Sequence, residues 1–348
     1  MVNSNISVIW LNYNSKKFLS LALASLNSVF DLDVENFEII IVDNASTDGS
    51  FESIVKFVNS EGRMRHKVRI IRSDKNRGYS GGMNLGWEAR DHDSRYVAFL
   101  NNDLIADPVS LREIVERMEA EPEVGAASGL IYFGDRRTIY SAGGVVTELW
   151  NPRGVCYGFP ESECTGRERA HYVTYADGAY MVARVDAVRD MPLRKPFLDR
   201  AFLFFDDYVL GLMLWNRRWK VRYYPVNAGL HFAHKTLRSE INYYGIRAHI
   251  ALMKNVKTRF ETIWPFYLLR RSAIHSGLCA TGRLGSCSVV RALYDGLRLG
   301  SYAKNRIGIL ELYKGPYIRS TCKELECFIA GICEDLKITH KDILINNA

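Results

Sequence analysis

Residues 38–50, EIIIVDNASTDGS, constrain the fold more than any other stretch of the chain. Ile39, Ile40, Ile41 and Val42 form an unbroken β-branched run, the pattern of a strand buried on both faces of a parallel sheet. The run stops at Asp43 and gives way to Asn44, Ser46, Thr47, Asp48 and Gly49, which favour turns and helix caps. Open α/β sheets bind ligands at the carboxyl ends of their strands, so Asp43 stands where a ligand would be met. An Asp so placed can equally cap the next helix, and this segment alone leaves both roles open.

The pattern recurs. Ile6 to Leu11 (ISVIWL) ends at Asn12, Tyr13 and Asn14. Lys67 to Ile71 (KVRII) leads to Asn76, Arg77, Gly78 and an expected glycine-rich turn through Gly81, Gly82 and Gly86. Tyr96 to Leu100 (YVAFL) stops at Asn101, Asn102 and Asp103. Between these runs, Phe18, Leu19, Ala22, Leu23, Leu26, Val29 and Phe30 recur at helical spacing, as do Phe51, Ile54, Val55 and Val58. Four β-α units in succession predict an α/β fold: a mostly parallel, doubly wound sheet with polar residues gathered along one edge.

With 348 residues the chain is long enough for a large core and for a second domain or a long extension. Apolar content of 47% and charged content of 24% are those of an ordinary globular protein. No apolar stretch reaches the ~18 residues of a membrane-spanning helix, and the N-terminus enters the first strand without a signal-peptide pattern. Seven scattered cysteines include no C-x-x-C pair, and Cys322, Cys327 and Cys333 match no common zinc spacing, so reduced thiols in a cytoplasmic protein are expected. Positive charge is uneven: between Arg247 and Arg306, eleven Lys and Arg stand against Glu261 and Asp295. No recognition motif accompanies that charge, so nucleic acid is not an expected partner. Apolar residues (Ile263, Trp264, Phe266, Tyr267, Leu268, Leu269) alternate there with Arg270, Arg271, Arg283, Arg291 and Arg298, which suits an anionic membrane surface. The competing reading is helices packed on the rest of the protein with a solvated charged face.

Asp103, at the end of a buried strand and beside asparagine carbonyls, suits a hard divalent cation that also bridges diphosphate oxygens. Together, VIWLNYNS, VDNASTDGS, NRGYSGGMNLG and Asn101-x-Asp103 resemble the family 2 glycosyltransferases of GT-A fold, in their rhamnosyltransferase-like subgroup. The likeness runs from about Ile6 to His234, with Asn101 standing where the family's metal-binding D-x-D has its first Asp. It implies that Asp43 contacts the nucleobase, that Asn12, Tyr13 and Asn76 surround the nucleoside, and that Asp103 holds Mg2+ or Mn2+ on the diphosphate. Gly78, Asn84, Asn101 and Asn102 fall in the same expected donor site. A dinucleotide-binding oxidoreductase would need G-x-G-x-x-G in the first strand-helix turn, and that turn, LNYNSKKF, has no glycine.

The second half offers a base. Asp177-Gly178-Ala179 resembles the family's acceptor-side segment, and Phe202-Leu203-Phe204-Phe205 leads to Asp206-Asp207. Adjacent carboxylates behind aromatic bulk should raise one another's pKa, as a general base requires. They also suit a helix N-terminus. The family's F-E-D-x-D-L motif puts Asp206 at its Glu and Asp207 at its catalytic Asp, with Val209 and Met213 departing from its second Asp and its Arg. His231, expected on a loop after the strand VRYYPV, would complete the metal shell by the same resemblance, with His234 as the alternative. Arg218-Trp219 resembles part of the Q-x-x-R-W of processive synthases, but Trp215 occupies the Gln position, which favours transfer of a single sugar.

The expected protein is an inverting, metal-dependent hexosyltransferase, carrying rhamnose or another hexose from a UDP- or dTDP-type donor to a glycan or polyprenyl-phosphate-linked acceptor. Residues 1–240 would form the GT-A catalytic domain (1–110 binding nucleotide, 111–240 acceptor), and 241–348 a basic, mainly helical extension at the cytoplasmic face of a membrane. The other reading is an inactive nucleotide-sugar-binding or scaffold protein, given Asn101, Val209 and Met213.

Overall fold

A computed structural model describes residues 5–62, 67–233, 241–282, 284–330 and 338–345. The β-branched runs become strands β1 (Ile6–Asn12), β2 (Phe37–Asp43) and β3 (Val68–Arg72), and YVAFL becomes β4 (Tyr96–Asn101). All four pair in parallel in the order β4-β1-β2-β3, with Asn12 in register with Asp43. Helices α1 (Leu19–Phe30), α2 (Ser50–Ser60) and α3 (Gly78–Ala89) make the connections. Val8, Ile9 and Trp10 of β1 are fully buried, as a strand covered on both faces must be.

The glycine-rich segment is a correction: Gly81, Gly82 and Gly86 lie within α3 rather than in a turn. Glycine is poor in helices, but here it allows close approach to the sheet. A Cβ on Gly82 would stand 2.5 Å from Leu11 Cδ1, and one on Gly86 2.4 Å from Ile9 Cγ2.

Beyond β4 the chain turns through Asn102 and Asp103 into β5 (Leu104–Ala106), then α4 (Ser110–Ala120) and β6 (Val124–Phe133). Three short strands follow, β7 (Ile139–Ser141), β8 (Gly144–Thr147) and β9 (Pro152–Gly154), then β10 (His171–Tyr172), β11 (Tyr180–Arg184) and α5 (Val185–Arg189). Next come α6 (Asp207–Asn216) and β12 (Lys220–His231). β11 inserts antiparallel between β4 and β6, and β12 runs parallel to β6. A single ten-stranded, mostly parallel sheet therefore continues from the first half into the second. His231 is a further correction, since it ends β12, opposite Leu104 of β5, rather than sitting on a loop. His234 lies outside the described residues.

Helices α7 (Ile241–Asn255), α8 (Trp264–Ala280) and α9 (Leu284–Ile307) dominate the C-terminal region, with short strands β13 (Val256–Lys257), β14 (Leu310–Glu311) and β15 (Tyr317–Ile318), and α10 (Cys322–Ala330). Gly296 and Gly300 bring α9 tightly onto α7: a Cβ on Gly296 would meet the Arg247 carbonyl at 2.7 Å. β15 adds to β8 in parallel, so the C-terminal segment completes a small sheet begun before residue 155.

The thiol expectation is overturned for four of the seven cysteines, because Cys156–Cys164 and Cys279–Cys287 are disulfides. Local turns bring Cα atoms eight residues apart to 5.5 and 4.9 Å, a proximity that no spacing motif signals. Cys322 and Cys327 are free, and Cys333 lies outside the described residues.

Candidate active site

The donor side is built on Asn12. Its Nδ2 donates to Asp43 Oδ1 (2.9 Å) and Ser46 Oγ (3.1 Å), while its Oδ1 accepts from Ser15 Oγ (2.6 Å) and Asn102 Nδ2 (3.2 Å). One fully buried amide thus ties the ends of β1, β2 and β4 together. Asp43 is 1% exposed and also accepts from the Ser46 backbone N–H (3.1 Å), with Arg72 Nε 3.4 Å away. It does not cap α2; Gly49 occupies that position, and Asp48 Oδ1 receives the Ser50 backbone N–H.

Sequence reasoning missed Asn44. Its Nδ2 donates to Asn76 Oδ1 (2.9 Å) and to the Gly78 carbonyl (3.0 Å), and its Oδ1 accepts from the Arg77 N–H (2.9 Å), fixing the loop before α3. The available signal was its place directly after the strand-end Asp, where an amide can satisfy a neighbouring loop. Asn84 departs from the expected role. Buried to 2% exposure, it donates to the Phe197 carbonyl and Asp199 Oδ1 (2.7 Å each) and accepts from the Phe197 N–H (3.1 Å). It clamps residues 197–199 rather than presenting its amide to a ligand. Tyr13 and Asn101 are half-buried at the strand ends, where the sequence put them.

Asp103 and His231 meet because β5 pairs with β12: His231 Nε2 lies 2.9 Å from Asp103 Oδ1. Both are nearly buried, the Tyr140 ring packs edge-on against the imidazole at 4.3 Å, and His231 Nδ1 is buried with no hydrogen-bond partner among the described residues. Among those residues no group of three or more His, Cys, Asp or Glu is arranged as a metal site. The pair alone supplies one carboxylate and one imidazole, a donor set that suits a borderline divalent cation whose other positions are filled from a ligand.

Across the sheet edge, Asp206 caps α6, its side chain accepting the Asp207 N–H at 3.0 Å. Asp207 Oδ1 accepts from the Tyr208 N–H (2.8 Å) and its Oδ2 from the Gly178 N–H (3.2 Å). The Gly178 carbonyl in turn accepts from Tyr79 Oη (2.7 Å), so one residue's backbone joins α3 to the acidic pair. Ala179 contributes backbone only, its N–H to Asp177 Oδ1 (2.9 Å) and its carbonyl to the Asn101 N–H (3.1 Å). Burial pushes the Asp207 carboxyl well above its ordinary pKa, with the charges of Asp206 and Asp177 adding to it. Asp206 and Asp177 are raised too, again first by burial. The hydroxyl of Tyr140 is raised by burial and then by Asp177, Asp207 and Asp103, which shows how closely these carboxylates gather.

The approach to Asp206 is strained. Phe202, Phe204 and Phe205 have φ of 67°, 52° and 93°, each costing about 1–3 kcal/mol for a non-glycine residue. Val209 and Met213 are each 2% exposed within the core, so these departures from the family motif are packing residues here.

Residues 7–187, more than half of the chain, match the family described as Glycosyl transferase family 2, and the chain belongs to that family. It is 36% identical over 138 residues to an uncharacterized glycosyltransferase of Nostoc sp., a match covering 39% of this chain and 40% of that one. It is 24% identical over 257 residues to the UDP-Glc:alpha-D-GlcNAc-diphosphoundecaprenol beta-1,3-glucosyltransferase WfaP of Escherichia coli, covering 70% of this chain and 88% of that one. Among solved structures, the mannosyltransferase PcManGT of Pyrobaculum calidifontis, in complex with GDP-Man and Mn2+, superimposes with a TM-score of 0.53 at 15% identity over 87% of each chain. GalNAc-T7 with UDP, GalNAc and Mn2+ gives 0.57 at 10% identity, over 89% of this chain and 59% of that one. These structural likenesses establish a shared fold.

Proposed function

We propose that the protein transfers one hexose, rhamnose or another, with inversion, from a nucleoside-diphosphate sugar of UDP or dTDP type to a glycan or polyprenyl-phosphate-linked acceptor. The observation that carries this reading is Asp207: a partly open carboxylate of raised pKa, oriented by two backbone N–H groups and within electrostatic reach of Tyr140, whose ring packs on His231. Asp207 takes the proton of the acceptor hydroxyl as that oxygen attacks the anomeric carbon. Asp103 and His231 would hold a divalent metal, Mg2+ or Mn2+, whose chemistry is to neutralise charge on the departing diphosphate. Asn12, Tyr13, Asp43 and Asn76 line the nucleoside side. Manganese-dependent hydrolysis of the donor separates this reading from an inactive binding protein of the same fold.

Calorimetry with free nucleoside diphosphate tests the donor site. Asp103→Ala should lose the tightening that Mn2+ provides, about tenfold or more. Asp43→Ala should weaken binding with and without metal, because Asn12 and the Ser46 backbone lose their shared acceptor. Unchanged affinity in both variants would place the donor elsewhere.

The reading includes peripheral attachment to an anionic membrane. No described helix is long and apolar enough to cross one. The outer side of α8 nevertheless exposes Phe266 (73%), Leu269 (71%) and Ile274, while Tyr267 packs inward on Phe328. The cationic half of the pattern is partly spent within the protein: Arg270 donates to the Ile329 carbonyl and Arg271 to Tyr267 Oη. Anionic vesicles should therefore float the protein and neutral ones should not, with Phe266→Ser plus Leu269→Ser weakening attachment by about tenfold or more. Equal behaviour with both vesicle types at low and high salt would remove the membrane from this reading.

A further inference from the structure

A cleft of about 1350 Å³ lies between α7, α8, α9 and the strained phenylalanine segment that leads to the acidic pair. Arg200, Arg247, Arg271 and Arg291 line it, with Phe202, Tyr243 and Tyr244 between them. Phe202 stacks on Tyr244 with ring centres 5.1 Å apart, and it stands four residues before Asp206. Tyr208, next to Asp207 in sequence, lies within the electrostatic reach of Arg247.

The two carboxylates near these cations are already engaged. Asp199 accepts from Lys195 Nζ (2.6 Å) and Asn84 Nδ2 (2.7 Å). Asp295 accepts from Tyr243 Oη (2.6 Å) and pairs with Arg291 Nε (3.6 Å). Arg200, Arg247 and Arg271 form no ion pair with a carboxylate among the described residues: Arg200 lies over the Tyr302 ring, Arg247 donates to the Ala201 carbonyl and Arg271 to Tyr267 Oη. Arg247 Nε is buried with no hydrogen-bond partner among those residues. Three guanidinium groups lining one cleft with no carboxylate ion pair of their own among the described residues are a site for an anion, and their planar forks match phosphate oxygens.

We propose that this cleft is the acceptor subsite for a phosphate or diphosphate ester, gripped by Arg200, Arg247 and Arg271 so that the acceptor hydroxyl reaches Asp207. The inference rests on the reading of Asp207 as the base of a sugar transferase, and it names the acceptor's chemical class. Three guanidinium groups suit a di- or trianion better than a single carboxylate. The aromatic rings of the cleft take the sugar or apolar part of the same molecule, since such rings present flat apolar faces.

The test is calorimetry without any sugar donor, using farnesyl diphosphate, inorganic pyrophosphate and farnesol as probes. Farnesyl diphosphate should bind, about tenfold or more weakly in Arg247→Gln and in Arg271→Gln, with Arg247→Lys recovering part of the loss. Pyrophosphate binding as tightly, with the same sensitivity to the variants, assigns the site to a phosphate not carried on a lipid. Farnesol binding as tightly as its diphosphate would overturn the proposal, as would unchanged affinity in both Gln variants with unaltered thermal melts. Loss of binding in the variants together with no donor hydrolysis by the parent protein would keep the subsite and remove the transferase reading. Hydrolysis with no effect of the variants would remove only the subsite.

Discussion

Asp207→Asn should abolish sugar transfer while leaving affinity for nucleoside diphosphate nearly intact, because the base acts on the acceptor. General-base loss costs about 10²–10⁴ in rate. Transfer persisting within about tenfold, ~1.4 kcal/mol of barrier, would take the role from Asp207 and pass it to Asp206. The same substitution should stabilise the protein at neutral pH. The carboxyl has a raised pKa when folded, so folding retains a proton that the unfolded chain releases. That carboxylate's penalty is absent below its unfolded pKa and grows as pH rises towards the folded value. An amide has no such penalty, although its single oxygen can keep only one of the bonds from the Tyr208 and Gly178 N–H groups. The gain in Tm at pH 7 should vanish near pH 3, below the ordinary carboxylate range. Parent activity should fall on the acid side at a pH above the usual carboxylate range, as Asp207 takes up its proton. A variant no more stable than the parent at pH 7 would show that burial does not strain this group.

Gly78→Ala should cost about 2–4 kcal/mol and misplace the base. Gly78 has φ of 66°, and its new Cβ would stand 2.2 Å from the Phe202 carbonyl oxygen, a backbone atom that cannot rotate away. The displaced Phe202 would carry Asp206 and Asp207 with it. Gly49→Ala is the matched control: φ is 84° but nothing lies within 4 Å, so only about 1–2 kcal/mol of conformational cost applies. Denaturant midpoints for the two variants separate these contributions. Equal losses would mean that the contact between α3 and the phenylalanine segment is unimportant.

Much of this site could be read from one dimension because its donor side is made of strand ends. An apolar run followed by Asn or Asp marks both the strand and its last residue: Asn12, Asp43 and Asn101 end β1, β2 and β4, and Asp103 follows two residues later. The Asp206–Asp207 pair was legible as a cap and as mutually perturbing charges. What escaped depends on contacts between distant segments. Asn84 looks like a loop amide until Phe197 and Asp199 are seen against it. The glycines of α3 look like a turn because local propensity takes no account of β1 beneath them. The phenylalanine run has strand-like composition, and only its setting between α3 and α7 accounts for three left-handed residues. The Gly178 peptide that orients Asp207 offered only its backbone, which composition does not reveal.

The pairing of β15 with β8 bears on the order in which the chain becomes native during synthesis. Glu148, just after β8, is 3% exposed, and its carboxylate accepts from Tyr313 Oη (3.0 Å) and the Ser320 N–H (2.9 Å) while pairing with Arg259 Nη2 (2.9 Å). All three partners emerge from the ribosome more than a hundred residues after Glu148 itself. Until then the acceptor half must either leave that carboxylate in water or bury it alone, which is costly. The strands of the nucleotide half share their buried core with α4, β6, β11 and β12, all of which are made before Arg259, Tyr313 and Ser320. The nascent protein would therefore hold its central sheet before residues 259–320 arrive to close the side on which Glu148 is buried.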